Sequence, residues 1–229
     1  MTRKITKILS LIISVVMLVS VFTSTAYATQ SNYNKFDTSE ISLTDNPGKN
    51  MAAIALAQLG KTGTDLNYSE EWCADFVGDC AIIAEQSAAV PLYGSVEGLY
   101  TRLLDAGATE VTSAPVPGDL VFINWDGEER KGHIEIVYDY NAETNTVFTV
   151  GGNTGDYDTY YERKVGAREI SLDSYVIKAI LRPAYSDCAE HSFFLFSCTK
   201  CGVLHPSISS FINQIKAFFY SLLSMFKAN

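Results

Sequence analysis

Apolar residues recur at helical spacing in three stretches between residues 46 and 107. Side chains three and four positions apart share one face of an α-helix, so each stretch predicts a helix with one buried face. Asn46-Pro47, a capping residue followed by proline at the first helical position, marks the first start. The first helix has apolar residues at Met51, Ile54, Ala55 and Leu59 and is stopped by Gly60. The second is expected to begin between Asn67 and Ser69 and has Trp72, Phe76, Cys80 and Ile83 on one face. The third covers residues 95–106 and is ended by Gly107.

Beyond residue 110 the apolar pattern changes to the two-residue repeat of β-strands. Residues 133–140 alternate most clearly, with His133, Glu135, Val137 and Asp139 on one side and Ile134, Ile136 and Tyr138 on the other. The predicted strands are 120–125, which follows a Pro117-Gly118-Asp119 turn, 133–140, 146–150, 159–164 and 175–181. Helices first and strands second are typical of the α+β class, so we expect an antiparallel sheet against an N-terminal helical layer.

The first 28 residues have the features of a secretory signal peptide. Arg3, Lys4 and Lys7 give a positive start, residues 8–22 are almost wholly apolar, and Ala26-Tyr27-Ala28 is a small-x-small cleavage pattern. A retained membrane anchor is the alternative, but the apolar run is shorter than the roughly 20 residues that span a bilayer. We expect cleavage after Ala28, a linker over residues 29–46, and a secreted protein that is extracellular or associated with the cell wall.

Without this leader the chain is strongly acidic. Three of the 17 basic residues and none of the 26 acidic ones lie in it, which leaves 14 against 26 and a net charge of −12. Nucleic-acid binding requires concentrated Lys and Arg to neutralise phosphates. We therefore expect no nucleic acid among the partners of the protein.

Cys73 and His133 have the chemistry of a nucleophile and its base. A thiol attacks a carbonyl as the thiolate, and both a helix N-terminus and a nearby imidazolium favour that form. Cys73 lies in the first turn of a predicted helix, where unpaired backbone N–H groups can also stabilise an oxyanion. His133 is the only histidine between residues 47 and 185, so it is the one ready general base there.

A cysteine enzyme commonly has a third group that orients the imidazole. Asn153, in Gly151-Gly152-Asn153 at the end of the next strand, is one candidate, and Glu135, on the sheet face of His133, is the other. Taken singly, a cysteine at a helix start is more often a buried small apolar residue, and a histidine at a strand start is more often a surface residue. Only their combination in one framework favours catalysis.

Such a framework exists, because the sequence resembles the CHAP family of cysteine, histidine-dependent amidohydrolases and peptidases. The resemblance covers about residues 48–185 and depends on the order and spacing of several short segments. These are Glu71-Trp72-Cys73-Ala74-Asp75-Phe76-Val77, Pro117-Gly118-Asp119-Leu120-Val121-Phe122, Gly132-His133-Ile134-Glu135-Ile136-Val137, Gly152-Asn153-Thr154 and Ile180-Leu181-Arg182-Pro183.

The resemblance implies a papain-like α+β domain over residues 47–185 that cleaves amide bonds in bacterial peptidoglycan, as an amidase or an endopeptidase. By motif position it implies Cys73 as nucleophile, His133 as base and Asn153 as orienting residue, with no cofactor for catalysis. Many relatives have Glu two residues before that Asn, where this chain has Gly151. Glu135 therefore remains the alternative orienting residue.

Residues 186–206 contain a candidate metal site. Cys188-x-x-His191 and Cys198-x-x-Cys201 supply two close pairs of ligands, an arrangement that tetrahedral zinc favours, and His205 is an alternate ligand. The segment resembles a small zinc-ribbon-like knuckle. Because an exported protein can oxidise its thiols, a disulfide among these cysteines is the alternative.

Residues 207–229 predict an amphipathic helix. Apolar residues recur at three and four positions, namely Ile208, Phe211, Ile212, Ile215, Phe218, Phe219, Leu222, Leu223 and Phe226. Four phenylalanines with only Lys216 and Lys227 as charges are typical of a helix that binds a membrane surface or a protein. Docking on the protein's own domain is the alternative.

Three functions fit these observations. The first is a secreted hydrolase acting on peptidoglycan. The second is a non-catalytic wall-binding or surface-interaction protein on the same fold, attached through its tail. The third is a thiol protease acting on proteins, which differs from the first only in substrate. The reactivity of Cys73 separates the first and third from the second.

Overall fold

A computed structural model describes residues 29–129, 131–155 and 159–186, together with the backbone of 193–194 and 197–198. The predicted signal peptide (1–28) and the predicted C-terminal helix (207–229) lie outside the described residues. So does most of the predicted zinc knuckle. Within the described part, no helix has the length and apolar character needed to cross a membrane.

Three helices precede the sheet, as the sequence predicts. They are α1 (Pro47–Leu56), α2 (Cys73–Ile83) and α3 (Val96–Asp105), after a short 3-10 helix at Tyr33–Lys35. The Asn46 side chain accepts a hydrogen bond from the Lys49 amide and Pro47 occupies the first turn, which confirms the predicted start of α1. Ser95 caps α3 in the same way.

The sheet has six antiparallel strands in the order β1-β6-β2-β3-β4-β5. The strands are β1 (Thr109–Glu110), β2 (Leu120–Ile123), β3 (His133–Asn141), β4 (Thr146–Thr154), β5 (Lys164–Ser171) and β6 (Ile177–Arg182). A separate pair, β7 (Phe193–Phe194) and β8 (Ser197–Cys198), follows. The α+β class with an antiparallel sheet is therefore confirmed.

The two faces of the sheet have separate apolar clusters. Ile134, Ile136 and Tyr138 of β3 pack in the large cluster that contains α1, α2 and α3. Val137 packs in a smaller cluster with residues of β2, β4, β5 and β6. Because successive side chains of a strand point to opposite faces, this division confirms the predicted alternation over residues 134–138. Beyond it the pairing register shifts between Val137 and Asp139, and Tyr140 packs in the smaller cluster.

The predicted start of α2 is wrong. The helix begins at Cys73, after Trp72, and not between Asn67 and Ser69. Asn67 has a left-handed backbone with φ +61°, and Gln30 forms hydrogen bonds with both the amide and the hydroxyl of Ser69. These contacts keep residues 67–72 out of helical geometry, so Cys73 is the first helical residue.

The strand predicted over 159–164 is also wrong, and β1 was not predicted. Residues 159–162 form turns, and the Tyr160 carbonyl accepts a hydrogen bond from Trp72 Nε1 at 3.0 Å. The real strand, β5, begins only at Lys164, and Gly166 and Ala167 obscure its apolar alternation. β1 has two residues, too few for any repeat to mark it.

Candidate active site

Cys73 opens α2 at the edge of a cleft. It is 6% exposed and lines a cavity of about 1090 Å³. The first hydrogen bond of the helix runs from the Phe76 amide to the Trp72 carbonyl at 2.9 Å, and Trp72 provides no side-chain cap. The amides of the first turn therefore have no acceptor within the helix, so their partial positive charge lies at the thiol.

Trp72 packs in the core beneath the first turn of α2 and stabilises it. Its ring is fully buried, stacks on Tyr68 at 4.8 Å and meets Phe76 edge-on at 6.0 Å. A side chain at Gly152 would come within 2.4 Å of the ring, so glycine is needed there. Trp72 thus fixes α2 against β4 and is not part of the cleft wall.

His133 is the first residue of β3 and connects the thiol to a carboxylate. It hydrogen-bonds to the Cys73 side chain, and its Nε2 lies 3.0 Å from Glu135 Oε1. Burial opposes protonation of the ring, but the hydrogen bonds and charges of Cys73 and Glu135 outweigh it and raise the pKa of His133 to about 9. At neutral pH the ring is therefore an imidazolium beside the thiol.

Glu135 is fully buried and has three partners. They are His133, the Thr149 hydroxyl, which donates to Oε2, and Arg168, whose Nε lies 2.7 Å from Oε1. Burial alone would raise the pKa of Glu135, but the hydrogen bond and charge of His133, the charge of Arg168 and the Thr149 hydrogen bond lower it. Glu135 is therefore a carboxylate held in one position.

Arg168 and Thr149 were not identified from the sequence. They face each other across β4 and β5 in the sheet register, and both reach Glu135 on β3. The guanidinium of Arg168 also lies 5.0 Å from the ring of Trp125, which is half-exposed in the cleft. Only the pairing of three strands brings these residues together, so no local sequence pattern marks them.

Asn153 is near the site but contacts other residues. Its backbone is left-handed, with φ +59°, and its Nδ2 donates to Glu71, which also pairs with Arg163 at 2.7 Å. Its Oδ1 is buried and has no hydrogen-bond partner among the described residues. The carboxylate that accepts a hydrogen bond from His133 is Glu135, so the structure brings Cys73, His133 and Glu135 into one chain of contacts.

Gly151 provides the space that Glu135 occupies. A Cβ atom at residue 151 would lie 2.6 Å from Glu135 Cγ, closer than real contacts allow. Glu135 therefore fills the region where other residue types at 151 would place a side chain. A side chain at residue 151 and the Glu135 carboxylate in its present position therefore exclude each other.

We expect Gly151→Ala to displace Glu135 and so to lower the pKa of His133. Overpacking of this kind costs about 1–3 kcal/mol, which chemical denaturation can measure as a loss of unfolding free energy. An NMR titration of the imidazole would follow the pKa directly.

Gly132→Ala is the matched control, because the nearest atom to its added Cβ would lie 3.7 Å away. This variant should leave the unfolding free energy within about 0.5–1 kcal/mol of the wild type. If Gly151→Ala is equally mild and the titration of His133 is unchanged, the packing of Glu135 against residue 151 does not position the carboxylate.

Cys80 has no access to this chemistry. It is fully buried two turns further along α2, and burial together with the charge of Asp79 raises the pKa of its thiol well above the ordinary value. A thiol in that state is an apolar packing residue. The two cysteines of the domain therefore differ in exposure and in electrostatic environment.

The side chains of the predicted metal ligands lie outside the described part of the chain. Cys188, His191 and Cys201 lie outside the described residues, and only the backbone of Cys198 is described, in β8. Within the described ranges, no group of three or more His, Cys, Asp or Glu residues is arranged to hold a metal ion.

Comparison with known proteins supports the resemblance seen in the sequence. Residues 63–153 match the family profile described as CHAP domain, which confirms that resemblance. Among solved structures, the crystal structure of Ly7917 is similar with a TM-score of 0.40, 20% identity and coverage of 62% of each chain. Ly7917 with the hydrolyzing product of MDP gives 0.39, 20%, and coverage of 62% of this chain and 63% of that one. The chain thus spans less than two thirds of Ly7917, and no curated protein matches it.

Proposed function

We propose that this chain, in which residues 63–153 form a CHAP domain, is a secreted hydrolase that cleaves amide bonds in bacterial peptidoglycan. In this proposal Cys73 is the nucleophile, His133 is the general acid and base, and Glu135 orients His133. The description of a similar structure as holding the hydrolyzing product of MDP is consistent with a substrate of this class. An N-acetylmuramoyl-L-alanine amidase and a crossbridge endopeptidase are the two activities that fit.

The contact chain from Cys73 through His133 to Glu135 carries the proposal. In this chain a thiol at a helix N-terminus is followed by the His133 ring, whose pKa is raised to about 9, and then by a buried carboxylate. The thiol and the ring line an open cleft. A packing cysteine needs none of these partners. A nucleophile uses each of them, because the helix N-terminus and the imidazolium favour the thiolate and the carboxylate holds the ring that carries the proton.

The first half-reaction forms a thioester. The Cys73 thiolate attacks the carbonyl carbon of the amide, and the oxygen takes up the electron pair within reach of the amides that open α2. Because Nε2 of His133 is bound to Glu135, the other ring nitrogen carries the proton toward the reacting groups. The imidazolium donates this proton to the leaving nitrogen as the C–N bond breaks, and an amine leaves.

The second half-reaction hydrolyses the thioester. The neutral imidazole of His133 removes a proton from water, and the water oxygen forms a bond to the thioester carbonyl carbon. The C–S bond then breaks, so that the products are a carboxylic acid and the thiolate beside an imidazolium. Glu135 stays ionised throughout and stabilises the imidazolium, because Arg168 and Thr149 hold its charge in place.

Asn153 has a different proposed role, on the substrate side of the site. Asn153 lines the cleft, its Nδ2 is bound to Glu71, and its buried Oδ1 is an acceptor without a hydrogen-bond partner among the described residues. We expect this oxygen to accept a hydrogen bond from an N–H group of the peptide. Asn153 would then position the substrate and not the imidazole.

Digestion of purified peptidoglycan tests the function. The enzyme is incubated with the polymer, and the newly formed ends are identified by mass spectrometry. New amino groups at the first stem residue indicate an amidase, and new ends inside the peptide indicate an endopeptidase. Cleavage of a denatured protein substrate, with peptidoglycan left intact, would show a thiol protease of different specificity.

A non-catalytic wall-binding protein is the alternative function. Alkylation by iodoacetamide at neutral pH distinguishes the two, because a thiolate reacts much faster than a thiol. We expect Cys73 to be modified rapidly in the folded protein and Cys80 only after unfolding, since Cys80 is fully buried. If Cys73 reacts no faster than an ordinary exposed thiol, the catalytic proposal fails.

The tail is proposed to bind one zinc ion through Cys188, His191, Cys198 and Cys201. Two ligand pairs with two-residue spacing can surround one ion, whereas the three cysteines of the tail can form only one disulfide among themselves, which leaves His191 without a role. We expect about one zinc per chain by elemental analysis, and chelation should leave hydrolysis unaffected. Absence of zinc together with two fewer free thiols would mean that the tail is oxidised. The helix at 207–229 remains a proposed contact for a membrane surface or a protein.

A further inference from the structure

The buried face of α2 holds two carboxyl groups one turn apart, Asp75 and Asp79. Asp79 is well satisfied, since it accepts hydrogen bonds from the Tyr68 hydroxyl and the Ser31 hydroxyl at 2.7 Å each and from the Asn32 amide at 2.8 Å. Two of these donors come from the segment just after the predicted cleavage point. That segment therefore docks on the same helix that carries Cys73.

Asp75 lacks such partners. It is fully buried, and neither carboxyl oxygen has a hydrogen bond of good geometry among the residues that the structure describes. Burial raises its pKa to about 7, the nearby Gln30 amide opposes this shift, and the charges of Glu70 and Asp79 add to it. One oxygen of Glu70 is also buried without a partner in this region of the described chain. An acidic site without a counter-charge is costly, because burial of a carboxylate requires a cation or several donors.

The chain itself can supply that cation. Gln30 is fixed by its hydrogen bonds to Ser69, and its amide faces Asp75, so the backbone nitrogen of Thr29 lies one residue away from this carboxyl group. In the unprocessed chain that nitrogen is a neutral amide of the Ala28–Thr29 peptide bond. Hydrolysis of this bond after Ala28 turns it into an α-amino group, which is an ammonium at neutral pH.

We propose that Asp75 is the binding site for the α-ammonium group of Thr29 that removal of residues 1–28 creates. The ion pair supplies the counter-charge that the acidic site lacks and fastens the mature N-terminus to the first turn of α2. Asp75 is two residues after Cys73, so removal of the leader stabilises the helix start that holds the nucleophile. This inference depends on cleavage after Ala28 and not on the proposed hydrolase activity.

A double-mutant cycle on the secreted protein tests it. One form is processed normally, and the other carries a Gly-Ser insertion between Ala28 and Thr29, which moves the ammonium away but keeps every side chain. Each is made with Asp75 and with Asp75→Asn, and the mass of each N-terminal peptide is determined. We expect the insertion to lower the thermal midpoint by roughly 5–10 °C with Asp75 and by less than about 2 °C with Asp75→Asn.

Ser31→Ala is the matched control. It removes one hydrogen bond to Asp79 and leaves the charges unchanged, so the insertion should still lower the midpoint by the full amount in this background. Equal effects of the insertion with Asp75 and with Asp75→Asn would overturn the proposal, as would a mature N-terminus other than Thr29. Because thermal unfolding needs no substrate, a failure here is distinct from a failure of the hydrolase assignment.

A metal cation is the competing occupant of the acidic site. The same four proteins are therefore unfolded in EDTA and in millimolar calcium. If the ammonium occupies the site, calcium should not change the thermal midpoint of the form without the insertion. A calcium-dependent increase that is equal in both N-terminal forms and lost with Asp75→Asn would assign the site to a metal ion and overturn the proposal.

Discussion

Cys73→Ala is expected to reduce hydrolysis of peptidoglycan by roughly 10⁴-fold or more, because no covalent intermediate can form without the thiolate. The substitution removes one sulfur atom at the cleft wall, so the fold should persist. The rate of release of soluble fragments from purified peptidoglycan measures the loss. Circular dichroism and the thermal midpoint confirm that the variant is folded.

Cys80→Ala is the matched control for this variant. It removes the same atom from the same helix, but at a fully buried position away from the cleft. We expect activity within about threefold of the wild type and a stability loss of about 1–2 kcal/mol from the small cavity. Comparable loss of hydrolysis in both variants would contradict the assignment of Cys73.

His133→Ala should match the loss caused by Cys73→Ala, and the double variant should be no worse than either single one. The two side chains act as one unit, so removal of one leaves little for the other to contribute. Multiplicative losses in the double variant would show that the residues act independently.

Glu135→Gln is expected to lower kcat/KM on the order of 10²-fold to 10⁴-fold, because it removes the charge that stabilises the imidazolium and its orientation. The amide is nearly isosteric, so packing against Gly151 is retained. Asn153→Ala removes a side chain that is bound to Glu71, and it should lower kcat/KM about tenfold, mainly through a higher KM. If Asn153→Ala is the more damaging variant in kcat, Asn153 and not Glu135 orients the base.

The pH profile separates a positioning role of Glu135 from a structural one. The pKa of His133 is raised to about 9, so the protonated ring is present below that value and is lost as pH rises through it. Activity of the wild type should therefore decline above about pH 9. Glu135→Gln removes one negative charge that raises this pKa, while the amide oxygen can still accept the hydrogen bond from the ring, so the decline should begin at lower pH. Asn153→Ala should not move it.

The helices and the central strands could be predicted from the sequence because their signals are local. Asn46-Pro47 starts α1 as expected, and the alternation over β3 separates the two faces of the sheet. The start of α2 could not be predicted, since the hydrogen bonds between Gln30 and Ser69 that keep residue 69 out of the helix span 39 positions. β5 was misplaced because Gly166 interrupts its pattern.

The same difference between local signals and long-range contacts applies to the candidate site. Cys73 and His133 could be proposed from residue type and position, while Glu135 and Asn153 could not be separated as orienting residues. That distinction depends on Gly151, whose missing side chain leaves room for Glu135, and on Arg168, which reaches Glu135 across the sheet. Such contacts arise from strand pairing and appear in no single stretch of sequence.

The placement of His133 and Glu135 on one strand has a consequence for the order in which activity appears during folding. These residues are two positions apart, so they come together as soon as β3 is extended and paired. Cys73 is 60 positions earlier in the chain and reaches them only when α2 docks on the sheet. Closing that long loop is the slow, entropically costly step. A folding intermediate with a complete sheet would therefore hold a correctly paired base while its thiol still reacts as an ordinary cysteine.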